Sequence, residues 1–192
     1  MMSSNKIKDV ALDLFALHGY EGTSLSQIAD QVGIKKQSIY SHFKGKDELF
    51  LAIVNDTFHI EIEREKEFLE KHFAESLKDC LLKSLRSYVD RYPYDSRLKF
   101  WLRISFFPPM HLYEQINEYS YNYIDEIDSL YLERFKKASI DREMDFISPE
   151  TATMAFSALL DSIAVELVYS GEERTEKKLS AAWEVFWRGI SS

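Results

Sequence analysis

Apolar residues recur along this chain at three- and four-residue spacing almost from end to end. Ile7, Val10, Ala11, Leu14 and Phe15 make one face of a helix over about residues 4–18, stopped near Gly19. Leu25, Ile28, Ala29 and Val32 make a second, shorter face. Gly33 follows where a left-handed C-terminal residue is needed, a conformation glycine adopts without steric penalty. Ile34 and Ile39 carry the apolar positions into another short helix, and Leu49, Phe50, Ile53 and Val54 open a long one from Asp47 to about His72. Beyond it the pattern predicts helices over about 74–91, closed by Pro93, and from Ser96 to Phe107, ended by Pro108-Pro109. A further long helix follows from about Leu112 to Lys137. Ser148-Pro149-Glu150 supplies an N-cap, a first-position proline and a first-turn acid for a helix ending near Gly171. Leu179, Ala182, Trp183, Phe186 and Ile190 mark the last one. No strand alternation of useful length, internal repeat or low-complexity tract breaks this series, so the expected fold class is all-α.

Two short helical patterns meeting at a glycine within residues 22–50 suit either an ordinary helical hairpin or a helix-turn-helix. A small residue at Ala29 allows the close, steep crossing that the second motif requires. The polar positions favour it. Lys35, Lys36, Gln37, Ser38, Tyr40 and His42 surround the second helix, with Lys44 and Lys46 just beyond. Across residues 26–46 four lysines face one acid, Asp30, in a chain whose net charge is −8. Lysines beside phosphates supply the salt-sensitive part of DNA affinity. Gln37, near the helix start, can pair bidentately with adenine, and Ser38 and Tyr40 can donate to phosphate oxygens. Asp47 and Glu48 suit the positive end of the long helix that follows.

LFALHGYEGTSL, then IADQVGI, then SIYSHFKGKDELF: in this combination the first 50 or so residues resemble the N-terminal domain of the TetR family of transcriptional regulators. The resemblance implies a three-helix DNA-binding domain with a helix-turn-helix (residues 1–47) and a larger helical effector-binding and dimerisation domain (48–192). It places Ser24, Lys36, Gln37, Ser38, Tyr40, His42 and Lys46 at positions that commonly touch DNA, and Lys35 joins them by its chemistry. Two residues depart from the family pattern: Lys35 stands where Ser or Thr often caps the recognition helix, and Gln37 where a small residue is common.

Charge divides the chain. Residues 1–50 hold six lysines and six acids, whereas residues 51–192 hold 18 basic and 26 acidic side chains. An acidic body behind a locally basic reading head suits a protein that meets nucleic acid at one surface. No run approaches the roughly 18 uninterrupted apolar residues of a membrane span, and MMSSNKIKDVAL lacks the apolar centre of a secretory signal. A cytoplasmic protein with no membrane partner is therefore expected. Cys80, the single cysteine, lies in an apolar run and reads as core; with five scattered histidines, no metal or cofactor is expected. HExxH, GxSxG and phosphate-binding glycine loops are all absent, so the chain does not read as an enzyme.

Twelve of the aromatic residues crowd into positions 92–135. They either fill a helical core or wall an apolar cavity. Because TetR-like regulators hold a small-molecule effector in the C-terminal domain, the resemblance favours a pocket drawn from Phe100, Trp101, Phe107, Met110 and Tyr123. Arg103 and Asp161 sit within apolar runs, and a buried charge needs a partner. They could pair with each other, anchor an effector, or lie on a wetted seam. The helix over 149–169 is apolar on more than one face and carries small residues, and the resemblance implies that it pairs with the last helix in a two-fold dimer. Ala155, Leu159, Ser162, Trp183, Phe186 and Trp187 are the candidate contacts. The implied function is a repressor released from a palindromic operator by a small apolar or aromatic effector. The alternative is a protein-interaction module that uses a helix-turn-helix scaffold without DNA.

Overall fold

A computed structural model describes residues 4–144 and 147–191, and within them the chain is helical throughout. The helices are α1 (Ser4–His18), α2 (Leu25–Val32), α3 (Lys36–Ile39), α4 (Lys46–Lys71), α5 (Leu77–Arg91), α6 (Ser96–Phe106), α7 (Tyr113–Ile140), α8 (Pro149–Tyr169) and α9 (Glu172–Ile190). A 3-10 turn, Met110–Leu112, precedes α7. Several ends follow from single residues. Gly33 takes φ +83°, and its N–H and that of Ile34 close α2 on the Ala29 carbonyl at 2.9 Å. Ser76, Asp95 and Ser148 cap α5, α6 and α8 by accepting from first-turn amides.

The chain forms two compact units, and neither is one continuous stretch. The first is Met1–Glu61 with Tyr94–Tyr123; the second is Ile62–Pro93 with Ile124–Ser192. A cut between residues 47 and 48 would fall inside α4, and residues 94–123 share a unit with α2 and α3. The reason lies in the core of the first unit. There α1 packs most extensively on α6, and Phe100 lies fully buried with its ring 5.4 Å from Phe50 and 6.4 Å from Phe15. Arg103 of α6 donates from Nε to the Ala16 carbonyl at 3.1 Å and from Nη2 to Leu17 at 3.3 Å, satisfying carbonyls left open at the end of α1.

In the second unit α8 packs on α9 and α5. Phe156 is fully buried against Tyr131, Phe135 and Phe186. A buried polar cluster crosses this core: the Glu65 carboxylate accepts from Ser84 and Tyr88 hydroxyls at 3.2 Å each and from Tyr131. Burial first, and then the Glu65 charge, push the Tyr131 phenol well above its ordinary value. Cys80 is fully buried, which raises its thiol and makes it a core residue. Among the described helices α8 is long and apolar enough to cross a membrane, with a mean hydropathy of 1.5. Its composition has a local cause: one side fills the unit's core, and the other turns small and apolar residues outward.

Candidate nucleic-acid interface

Helix α2 is amphipathic, and Leu25, Ile28, Ala29 and Val32 are all buried. Ser24 begins it with a reciprocal cap: its hydroxyl accepts from Gln27 N–H at 3.2 Å, and its own N–H donates to Gln27 Oε1 at 2.7 Å. Helix α3 is only four residues long. Its N-cap Lys35 offers no side-chain oxygen, so the first bond is backbone only, Ser38 N–H to Lys35 C=O at 2.8 Å. The Ile39 carbonyl then takes the amides of His42 and Phe43 at 2.9 and 3.0 Å, carrying the turn on to residue 43. Ile39 and Phe43 are buried and hold this segment down.

That burial decides what faces water. Ser24, Lys35, Lys36, Gln37, Ser38, Tyr40 and His42 are all exposed, and Tyr40 shows half of its surface to solvent. Seven of the eight candidate DNA-binding residues therefore form an exposed, cationic and hydrogen-bonding surface around α3. Lys46 is placed differently. Its ammonium donates to the Tyr20 carbonyl at 2.8 Å and the Thr23 carbonyl at 3.0 Å, and lies 3.8 Å from the centre of the Tyr20 ring. The Tyr20 hydroxyl donates to Asp47. That bond, helped by His111 at 3.4 Å, holds the Asp47 carboxyl below its usual range. No sequence signal shows this inward turn, because a lysine after a recognition helix suits either role.

The candidate effector residues do not gather at one place. Phe100 and Arg103 are occupied within the first unit as described, and Phe107 and Met110 are exposed at the end of α6 and in the turn after it. Trp101 and Tyr123 meet at 5.1 Å between ring centres, and Phe58 lies 5.4 Å from Tyr123. Asp161 belongs to the second unit, is solvent-exposed on α8, and has its carboxyl raised by desolvation and by the Asp128 charge. A groove of about 870 Å³ follows Glu48, Leu51, Ala52 and Asn55 along α4, with Tyr119 opposite. A smaller one of about 320 Å³ lies among Lys8, Leu12, Asp56 and Arg97. None of the seven candidates lines either groove.

Of the candidate dimer contacts, Ala155 is exposed and Ser162 half-buried, whereas Leu159 and Trp183 are buried within their own unit. Trp187 stacks on Trp183 at 5.8 Å between ring centres, and Phe186 lies tilted beside it at 5.9 Å. The outward positions of α8 instead are Met154, Ala155, Ala158, Asp161, Val165 and Tyr169, and Val185 is exposed on α9. Helical periodicity showed two apolar faces on α8 without telling which one was already covered.

The sequence profile described as "Bacterial regulatory proteins, tetR family" matches residues 7–53, which span α1, α2, α3 and the first turns of α4. Residues 7–53 are thus a TetR-family N-terminal domain. Among curated relatives, the negative regulator of the biofilm operon icaADBC, IcaR of Staphylococcus epidermidis, is 29% identical over 130 residues, covering 65% of this chain and 63% of the relative. The transcriptional regulator LmrA of Bacillus subtilis is 37% identical over 79 residues, 41% of this chain and 38% of its own length. The chain thus aligns with less than two thirds of either relative. Solved structures extend the likeness of fold to nearly the whole chain. SmeT, repressor of a Stenotrophomonas maltophilia multidrug efflux pump, superposes with a TM-score of 0.71 at 18% identity over 100% of this chain and 92% of SmeT. FadR of Bacillus subtilis, solved with stearoyl-CoA, gives 0.68 at 19% identity over 98% of this chain and 100% of FadR. TetR-family regulators are not enzymes.

Proposed function

We propose that this protein is a sequence-specific repressor that binds a palindromic operator as a homodimer and leaves it when a small apolar or aromatic effector binds. The observation that carries the reading is the exposed face around α3, where Lys35, Lys36, Gln37, Ser38, Tyr40 and His42 lie about two buried anchors, Ile39 and Phe43. Lysines there neutralise phosphates, the hydroxyls fix register, and Gln37 reads a base edge. The negative regulator IcaR and the efflux-pump repressor SmeT support repression, and FadR's stearoyl-CoA supports an apolar effector. One short recognition helix reads few base pairs, so a two-fold pair reading two half-sites follows from the size of the motif. The outward stripe of α8 suits that pairing. Helix α4 has residues in both units, and it is the proposed link between effector occupancy and the reading head. Such coupling cannot exceed the effector's difference in affinity for the two states. The proposed setting is the cytoplasm, where the operator lies.

Selection of sites from a random double-stranded DNA pool at physiological salt tests the reading. Enrichment of one inverted repeat is the expected result. No enrichment by folded, dimeric protein would overturn it in favour of a protein-interaction module.

A further inference from the structure

Lys46 is the one candidate DNA contact whose charge is already used within the fold, and its partners lie at a mechanically important place. The loop from Gly19 to Ser24 leads directly into α2, and Ser24 is the cap of that helix. On one side this loop is fastened to α1, because the Thr23 hydroxyl donates to Leu14 O at 3.1 Å and Gly19 O at 2.9 Å. On the other side it is fastened to the first turn of α4. Lys46 bonds the Tyr20 and Thr23 carbonyls, and Asp47 accepts the Tyr20 hydroxyl. The Tyr20 ring itself is wedged edge-on to Phe50 at 5.0 Å and parallel to Phe15 at 6.2 Å. The chain enters the α2–α3 pair at Ser24 and leaves it at Lys46, so these three side chains hold both ends of the helix-turn-helix together.

We propose that Lys46, with Tyr20 and Asp47, is a positioning clamp that sets the α2–α3 pair on its domain, and that Lys46 does not neutralise a DNA phosphate. The proposal rests on the DNA-binding reading for its consequence but not for its geometry. A phosphate contact would require the ammonium to leave two carbonyl acceptors and an aromatic face. The clamp also meets the segment that precedes α7: a His111 ring nitrogen lies 3.4 Å from Asp47, and its ring lies 5.0 Å from Tyr20. A shift of that segment is therefore felt at the same joint that fixes the recognition helix.

Two measurements on the full chain separate the possibilities. Amide hydrogen exchange is compared between wild type, Lys46→Met and Tyr20→Phe without DNA. The clamp predicts faster exchange through residues 25–43 with α5 unchanged; unchanged exchange in both variants overturns it whatever the protein binds. Tyr20→Phe keeps the ring under the ammonium and removes only the hydroxyl, so it remains informative if Lys46→Met fails to fold. Affinity for the selected DNA site is then followed against salt. Lys46→Met should weaken binding about tenfold with an unchanged salt slope, whereas loss of a true phosphate contact lowers the slope by about 0.9. A slope reduced by that amount in Lys46→Met overturns the proposal. Faster exchange in the variants, with a wild-type protein that selects no DNA, would instead sink the DNA-binding reading and leave the clamp standing.

Discussion

Helix α3 and its flanks turn Lys36, Gln37, Ser38 and Tyr40 to solvent, whereas α8 turns out Met154, Ala155, Ala158 and Val165. Both faces are exposed in the single chain, and their chemistry differs in the way their partners would. Charged and hydrogen-bonding groups lose little by staying hydrated until a phosphate or base edge replaces water. Small apolar groups gain from close contact with another apolar face, and their lack of bulk lets two helices approach. The first face is suited to a reversible, salt-sensitive encounter with DNA, the second to a lasting one with another copy of the chain.

Placing a charge on the apolar face should break the comparison most sharply. Ala158→Glu puts a carboxylate in the middle of the α8 stripe, one turn from the exposed Asp161, where a second copy would bury both acids without a partner. Self-association is expected to weaken about a hundredfold, because an unpaired interfacial charge costs several kcal/mol. Light scattering at micromolar concentration should then report a monomer with an unchanged far-ultraviolet helical signal. A variant as dimeric as the wild type would mean that the α8 stripe is not the pairing surface.

On the polar face the corresponding change is smaller. Lys36 is exposed at the start of α3. Lys36→Ala should cost roughly tenfold in DNA affinity across all sequences and lower the salt slope by about 0.9. Anisotropy titrations at several salt concentrations read both quantities. An unaltered slope would move the phosphate contact elsewhere on this surface, and a loss confined to one DNA sequence would mean that Lys36 reads a base.

The two faces were not equally legible in the sequence. Around α3, burial needs only one short apolar set, so Ile39 and Phe43 point in and the polar residues between them have nowhere to go but out. Helix boundaries were legible for a similar reason, since Gly33 and Pro93 act through their own backbone and Ser148 through a cap on the first turn of its own helix. Phe100 and Leu159 show the limit. Each lies on an apolar stripe, and periodicity marks a stripe without naming what covers it. Phe100 serves the core it shares with Phe15 and Phe50, and residues 94–123 join the reading head because α6 docks on α1. Lys46 and Arg103 were hard to place for the complementary reason. A long cationic side chain can reach solvent or fold back onto a carbonyl, and only the neighbouring backbone decides which.

The smallest expected effect concerns what holds α8 in register while its other face stays bare. Glu166 is buried, and its carboxylate accepts from Lys178 at 2.6 Å and from Arg174 at 3.0 Å, tying α8 to α9. The Lys178 bond first, then those from Ser170 and Arg174, pull its carboxyl down to about 2 from an ordinary 4.5. A carboxyl lowered by folding stabilises the fold wherever the unfolded chain would also be ionised, and the benefit is lost as pH falls from about 4.5 towards 2. Glu166→Gln should therefore melt below the wild type at pH 7, with the gap closing through that window and vanishing near its lower end. The gap should be modest and should shrink at high salt, because Arg174 and Lys178 stay largely in water. Melting curves from pH 7 to pH 2 at two ionic strengths give the answer. A gap that persists unchanged at the acid end would show that Glu166 anchors α8 by its shape and neutral hydrogen bonds, and the α8 stripe would then keep its register without the ion pair.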